Sequence, residues 1–309
     1  MKRRMIALLL AVFALLSACG IVREEPVSDT VITFTDDLGR SVTVDNPKRV
    51  AALLGSYAQI WLLSGGTVCA TADDAWDDLA LDLPKDTVNL GNTKQLSLEL
   101  LLASQPDLVL ASTNTRQNME WKETLEAMSV PVAYFDVADF DDYLRLLKLC
   151  TDINGRQDLY EQHGLAVQKK IEAVLEKREG EPSPTVLCMR ASASAVTVKN
   201  SRDNVLGEML HSLGCINIAD SDASLLENLS MESILMADPD FIFIVQRGDD
   251  AEGMKAYVSQ TLETDPAWNK LTAVREGRVY FMDKNLYNLK PNHRWGEAYE
   301  KLEEILRHG

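Results

Sequence analysis

Arg190 is the side chain in this sequence that most clearly suits the binding of an anion. It follows the predicted buried strand Thr185–Met189, and its planar guanidinium group matches the paired oxygens of a carboxylate or a catecholate. An arginine directly after a buried strand is costly without a partner. That partner is either an anionic ligand or one of the many acidic side chains, and the sequence leaves both open. Arg116 is a weaker candidate of the same kind.

Five other polar or aromatic side chains lie at the ends of predicted strands and helices: Tyr57, Trp76, Lys94, Tyr287 and Lys290. Ligands of α/β proteins bind beyond the carboxyl ends of the strands. We therefore predict that these side chains, together with Arg190, line a ligand site. The lysines would attract an anion, and the rings would supply stacking surface. The alternative for Tyr287 and Lys290 is a solvated loop.

The sequence has no pattern that indicates a catalytic centre or a directly bound metal ion. It contains no P-loop, no GxGxxG after a strand, no GxSxG and no HExxH. The four histidines are scattered, and none pairs with another at metal-ligand spacing. The acidic residues around Trp76 lack a calcium-loop pattern and are interpreted as a solvated loop. We predict neither an enzyme nor a resident metal or cofactor.

The first thirty residues are typical of an export signal followed by a tether. Residues 1–18 begin with three basic residues and continue with an apolar run that is too short to span a bilayer as a helix. Leu16-Ser17-Ala18-Cys19 matches the bacterial lipobox, in which the cysteine thiol carries diacylglycerol. An ordinary signal peptide with an incidental cysteine is the alternative. Residues 19–30 are polar, as a tether requires.

The composition and the net charge limit the kinds of molecule that this protein could bind. The net charge is −16, which argues against nucleic-acid binding. Any anionic ligand must therefore be held by local basic groups, because the overall field would repel it. The sequence after Cys19 has four cysteines without a CxxC pair, and we interpret them as buried free thiols, although export permits disulfides. The four are Cys69, Cys150, Cys188 and Cys215.

An internal repeat indicates two similar halves. Residues 96–110 align without gaps with residues 229–243, and the Ser, Glu, Pro and Asp coincide. Each copy predicts a short helix with a serine N-cap, then a Pro-Asp turn and a buried strand. Recurrence of this unit in both halves favours two lobes of similar α/β build.

Between the halves lies a polar, proline-free stretch with apolar residues at helical spacing, which predicts one long helix. Strands and helices alternate on either side of it, the pattern of parallel sheets. We therefore divide the chain into a first lobe at residues 31–153, a linking helix at 154–180 and a second lobe at 181–309. A helical connector is stiff, so we expect little lobe closure. The last helix is predicted from Trp295 to Arg307.

Several segments in this order resemble the substrate-binding proteins of ABC importers for ferric siderophores, haem and vitamin B12. The resemblance rests on Asp37–Val44, on Asn46–Val50, on the two repeat copies and on Trp268–Tyr280. It implies an α/β fold of two Rossmann-like lobes with parallel sheets, joined by one long α-helix. The ligand would lie in the cleft between the lobes.

The resemblance also implies a role for one glutamate in each repeat copy. Glu99 and Glu232 match the family positions at which an acidic residue meets arginines of the membrane permease. Another interpretation is that a glutamate in the first helical turn complements the helix dipole, worth about 0.3–1 kcal/mol. The two roles are compatible.

These features together predict a monomeric, lipid-anchored binding protein on the extracytoplasmic face of the cell membrane. Its partners would be an ABC permease with its ATPase, and its ligand a small metal chelate, with a ferric siderophore favoured. Haem and cobalamin are the alternatives, and His293 is a candidate axial ligand for haem. A lipoprotein sensor that takes no part in transport is a more distant alternative.

Overall fold

The chain folds into two parallel β-sheets flanked by helices. This computed structural model describes residues 31–202 and 204–309. The predicted signal peptide, the tether and Cys19 lie outside the described residues. The strands are β1 (Val31–Thr35), β2 (Ser41–Asp45), β3 (Val50–Ala52), β4 (Val68–Thr71), β5 (Val88–Asn89), β6 (Leu108–Ser112), β7 (Val132–Phe135), β8 (Thr185–Ser192), β9 (Ala195–Lys199), β10 (Ile216–Asn217), β11 (Phe241–Gln246) and β12 (Val279–Met282).

Helices follow most strands, as the alternating sequence pattern predicts. The α-helices are Gly55–Leu63, Asp74–Asp77, Leu98–Ala103, Arg116–Glu120, Lys122–Ala127, Phe140–Asn154, Gln157–Tyr160, Ala166–Arg178, Val205–Ser212, Ile218–Ser221, Ser224–Glu227, Met231–Ala237, Ala251–Val258, Thr272–Arg275, Lys284–Tyr287 and Trp295–His308. Two π-helical segments, Glu161–Leu165 and Ser259–Glu263, and two short 3₁₀ segments, Trp268–Lys270 and Asn292–Arg294, complete the set.

Each sheet forms the centre of one lobe. The first sheet has the strand order β5-β4-β3-β6-β7, and all its pairings are parallel. The second has the order β10-β8-β11-β12, also parallel, with β9 added antiparallel to β8. β1 and β2 form a separate antiparallel hairpin. The predicted α/β fold of two Rossmann-like lobes is confirmed.

The repeat copies fold alike. Ser97 Oγ accepts a hydrogen bond from the backbone N–H of Leu100 at 3.2 Å, and Ser230 Oγ accepts one from Ser233 at 3.2 Å. These serines are therefore the N-caps that the sequence predicts. Each capped helix is followed by a buried strand, β6 in the first lobe and β11 in the second.

The aspartates of the two Pro-Asp turns also have equivalent roles. Asp107 accepts hydrogen bonds from the backbone N–H groups of Lys48 and Arg49, at 2.7 and 2.9 Å. Asp240 accepts from the backbone N–H and the hydroxyl of Thr185, both at 2.8 Å. Each carboxylate thus holds the start of the strand that pairs with its own, β3 in one lobe and β8 in the other.

The connection between the lobes is helical but is not one regular α-helix. It runs from Gln157 to Arg178 and contains the π-helical segment Glu161–Leu165. Gly164 lies in that segment, and a β-carbon there would be 2.8 Å from Leu144 Cδ1. The glycine therefore allows close packing against the preceding helix. The lobe boundaries at 153/154 and 180/181 stay a prediction.

The lobes share part of their hydrophobic core. One apolar cluster includes Tyr57 and Phe135 of the first lobe, Phe243 of the second, and Val167 and Ile171 of the connection. A separate cluster lies within each lobe. Because shared packing resists separation of the lobes, this arrangement agrees with small lobe movements.

The described cysteines are free thiols: Cys150, Cys188 and Cys215 are buried, and Cys69 is half-buried. Burial raises the pKa of the Cys150 thiol, so this group stays protonated and unreactive at neutral pH. Within residues 31–202 and 204–309, no helix is long and apolar enough to cross a membrane.

Candidate ligand-binding cleft

Two neighbouring cavities open at the carboxyl ends of the first lobe's strands, and the smaller of them is also lined by residues of the second lobe. The smaller, here called the cleft cavity, has a volume of about 230 Å³ and is lined by Leu54, Asp74 and Asp78 of the first lobe and by residues 288–290 of the second. The larger, the outer cavity, has a volume of about 540 Å³. Leu54 and Thr93 line both. The cavities are therefore in the region where the strand pattern predicts a ligand site.

Lys290 lines the cleft cavity. Among the described residues its ammonium group has no ion-pair partner within 4.0 Å. Burial lowers the pKa of Lys290, although the carboxylates of Asp136 and Asp142 act in the opposite direction. Lys290 is half-buried, and a partly desolvated cation without an ion pair is costly, so this position favours an anionic ligand.

The opposite wall of the cleft cavity carries Asp74. Its Oδ1 accepts a hydrogen bond from the backbone N–H of Gly55 at 2.9 Å. Burial and the charges of Asp78 and Asp73 raise the pKa of Asp74 to about 6, against the lowering effect of the Gly55 N–H. Gly55 is required here, because a β-carbon would lie 2.6 Å from the backbone nitrogen of Ala75.

The prediction that this acidic stretch is a solvated loop is wrong. Residues Asp74–Asp77 form a helical turn that closes one side of the cleft cavity. Asp78, at its end, makes an ion pair of 2.6 Å with Lys284 of the second lobe. Sequence spacing could not reveal this pair, because 206 residues separate its members. Lys284 also pairs with Asp249, which belongs to its own lobe.

A second contact between the lobes is made by Asn292. Its Nδ2 donates to the backbone oxygen of Ser56 at 3.0 Å and to Gln59 Oε1 at 2.7 Å. Asn292 is fully buried and has a left-handed backbone conformation with φ of 52°, which asparagine tolerates better than most residues. The sequence pattern did not single out this residue.

The outer cavity contains Lys94 and Arg116. Arg116 Nε donates a hydrogen bond to Glu120 Oε1 at 2.7 Å, and this ion pair offsets the charge of Arg116. Lys94 is exposed and has no ion pair within the described part of the chain. The fold therefore places Lys94 and Lys290 in neighbouring cavities. Their role in ligand binding stays a prediction.

Arg190 lies inside strand β8 and not after its end. Its strand neighbours are Val245 on β11 and Thr197 on β9. The Nε atom is buried without a hydrogen-bond acceptor, and among the described residues no carboxylate pairs with this arginine. Burial and the nearby Arg247 lower the pKa of Arg190. Arg190 lines neither cavity, so its assignment to the ligand site stays a prediction.

The two tyrosines that were predicted to line the ligand site are instead buried in the core. Tyr57 has no exposed surface, and its hydroxyl donates to the backbone oxygen of Phe135 at 2.8 Å. Tyr287 is 2% exposed and donates to the backbone oxygen of Ala298 at 3.0 Å. Both rings pack in the core, and both hydroxyls donate hydrogen bonds to backbone carbonyl oxygens. Trp76 is half-buried and lines neither cavity.

Glu99 and Glu232 are exposed in the first turns of the two capped helices. Neither has an ion-pair partner among the described residues. Their positions are equivalent in the two lobes, and their role in docking stays a prediction.

His293 does not face either cavity. Its ring packs edge-on against His163 of the connection, with 6.1 Å between ring centroids. The structure therefore gives no support to His293 as a haem ligand. The part of the chain that the structure describes contains no group of three or more His, Cys, Asp or Glu side chains that could hold a metal ion.

The family model described as Periplasmic binding protein matches residues 50–286. The chain belongs to this family. Its members are transport components, so the protein is a substrate-binding protein and not an enzyme. The resemblance noted in the sequence is confirmed.

Individual relatives cover most of the chain. The Fe(3+)-citrate-binding protein YfmC of Bacillus subtilis (strain 168) is 27% identical, with 82% of this chain and 78% of that protein covered. The putative ABC transporter substrate-binding lipoprotein YhfQ of the same organism is 22% identical, with coverage of 94% and 93%.

Solved structures show the same fold. Staphylococcus aureus SirA complexed with staphyloferrin B has a TM-score of 0.69 at 22% identity, and covers 89% of this chain and 98% of its own. S. aureus IsdE complexed with heme has a TM-score of 0.67 at 14% identity, with coverage of 83% and 98%.

Proposed function

We propose that this protein captures an anionic ferric chelate in the cleft and delivers it to an ABC permease and its ATPase. The observation that carries the proposal is Lys290, a half-buried cation in the cleft cavity without an ion pair among the described residues. Lys94 adds a second unpaired cation in the neighbouring cavity. An acidic protein can hold an anion only through such local basic groups.

The relatives support iron as the metal of the chelate. The relative with the highest identity quoted above is named as an Fe(3+)-citrate-binding protein, and one structural relative is complexed with staphyloferrin B. We therefore favour a ferric siderophore or a ferric carboxylate chelate. Haem and cobalamin are less favoured because the two cavities have no aromatic side chain among their lining residues and His293 lies outside them.

Membrane attachment and docking complete the proposal. Cys19 would carry the lipid that holds the monomeric protein at the extracytoplasmic face, in keeping with the lipoprotein name of one relative. Glu99 and Glu232 would meet basic residues of the permease, one on each half. Support for the docking role comes from their exposure and from the equivalence of the two capped helices.

Replacement of Lys290 tests the ligand site. We expect Lys290→Met to weaken the binding of ferric citrate at least tenfold, because a hydrogen-bonded charge pair is worth about 1.5–3 kcal/mol. Lys270→Met is the matched control, since Lys270 is exposed and lines neither cavity. Tryptophan fluorescence or calorimetric titration gives the dissociation constants. Equal affinities for the two variants would refute the proposed role of Lys290.

A further inference from the structure

Two polar contacts among the described residues join the lobes at different depths, in addition to the shared hydrophobic core. The Asn292 contacts with Ser56 and Gln59 are buried, and the adjacent His293 packs against the connection between the lobes. The ion pair of Lys284 with Asp78 is more accessible, with 17% and 21% of the side chains exposed. Asp78 also lines the cleft cavity, so this pair lies at the edge of the site.

Lys284 contacts one carboxylate on each lobe, Asp78 of the first and Asp249 of the second. Burial alone would lower the pKa of Lys284, but hydrogen bonds to Asp249 and Asp78 raise it overall. The ammonium group is therefore charged at neutral pH, and its charge is already satisfied by protein carboxylates. In this respect Lys284 differs from Lys290, whose ammonium group has no such partner among the described residues.

The cleft cavity is small, and we expect an entering ligand to widen it slightly at the edge where the Lys284–Asp78 pair lies. Its volume of about 230 Å³ is below the range of about 300–1,000 Å³ that is usual for small-molecule sites. Widening at this edge must break the Lys284–Asp78 pair, whereas the buried contacts near the connection can stay in place.

We propose that the Lys284–Asp78 ion pair is a clasp across the cleft, which limits how fast ligand enters and leaves. This inference rests on the proposed function only in naming the cleft as the ligand site. Lys284 acts here as a positioning residue and makes no contact with the ligand. Loss of either partner should loosen the clasp to the same extent.

The two single variants Lys284→Met and Asp78→Asn test this idea together. As a clasp, both variants should raise the association and dissociation rates of ferric citrate about two- to fivefold, the range expected for a partly exposed ion pair. Stopped-flow fluorescence measures these rates. If Lys284 instead contacted the anion, Lys284→Met would weaken binding while Asp78→Asn would strengthen it, and opposite effects would overturn the proposal.

Asp249→Asn is the matched comparison, because Asp249 pairs with Lys284 from within the same lobe. It removes one carboxylate from Lys284 but leaves the Lys284–Asp78 pair between the lobes in place, so its rates should change less than those of Asp78→Asn. A change as large as that of Asp78→Asn would show that the lobes are not held by the Asp78 bond. Circular dichroism establishes that each variant is folded.

Small-angle X-ray scattering of the protein without any chelate tests the clasp independently of the ligand. The radius of gyration should increase in Lys284→Met and Asp78→Asn and return toward the parent value in the charge-exchanged double variant Lys284→Asp/Asp78→Lys. An unchanged radius in both single variants would overturn the clasp. Failure of the parent protein to bind ferric citrate would count against the proposed ligand alone.

Discussion

At the scale of single residues, Asp74 illustrates how a binding cleft differs from the protein surface. Its carboxyl group is buried beside Asp73 and Asp78, and these conditions raise its pKa to about 6. The ordinary value is 3.8, so the folded protein holds this proton more tightly than the unfolded chain. The resulting stability is present below pH 4 and is lost as the pH rises through about 6.

Asp74→Asn should therefore raise the free energy of unfolding, relative to the parent protein, more at pH 8 than at pH 4. The expected difference in the free energy of unfolding is about 2 kcal/mol, from a pKa difference of roughly two units reduced for partial exposure. Urea denaturation at the two pH values measures it. Asp77→Asn, at an exposed position on the same helix, is the control, and the same result for both variants would contradict the explanation given for Asp74.

Burial also explains why some site residues could be predicted from the sequence and others could not. The position of Lys290 at the cleft cavity could be predicted because it follows the last strand. Tyr57 follows a strand as well, yet it lies in the core because its helix begins at Gly55 and directs the ring toward Phe135. The partnership of Asp78 with Lys284 depends on the packing of two lobes, which no local pattern contains.

At the scale of elements, the repeated unit is the feature that the sequence predicted most fully. The serine caps, the helices and the buried strands all follow from local preferences. The roles of Asp107 and Asp240 did not follow, because each holds the start of a strand that is distant along the chain. The π-helical segment of the connection was also missed, since its apolar spacing resembles that of an ordinary helix.

Asp107→Ala and Asp240→Ala should destabilise the protein by similar amounts. Each substitution leaves two hydrogen-bond donors without their acceptor, and the expected loss is about 1–3 kcal/mol. Denaturant unfolding at pH 7 provides the values, with the exposed Asp86→Ala as a control. A loss confined to one of the two aspartates would show that the copies are not energetically equivalent.

For the whole molecule, the equivalent positions of Glu99 and Glu232 lead to a prediction about transport. Glu99→Lys and Glu232→Lys should each impair uptake through the permease, and the double variant should impair it further. Ligand affinity should not change, because both side chains are exposed and line neither cavity. Uptake of radiolabelled iron and a binding titration on the same variants separate the two effects.

Glu300→Lys is the control for the change of charge, since Glu300 is exposed on the last helix. An equal loss of uptake with this control would attribute the effect to net charge instead of docking. Loss of ligand affinity in either docking variant would contradict the assigned role.

We expect the cleft between the lobes to bind an anionic ferric chelate. Titration of tryptophan fluorescence with ferric citrate, a ferric catecholate siderophore, haem and cobalamin tests this most directly. Trp76 reports on the site because its helix supplies Asp74 to the cleft cavity. We expect an anionic ferric chelate to bind with 1:1 stoichiometry at about micromolar concentration or below, and more tightly than cobalamin. Absence of quenching by every chelate at micromolar concentration would contradict the claim.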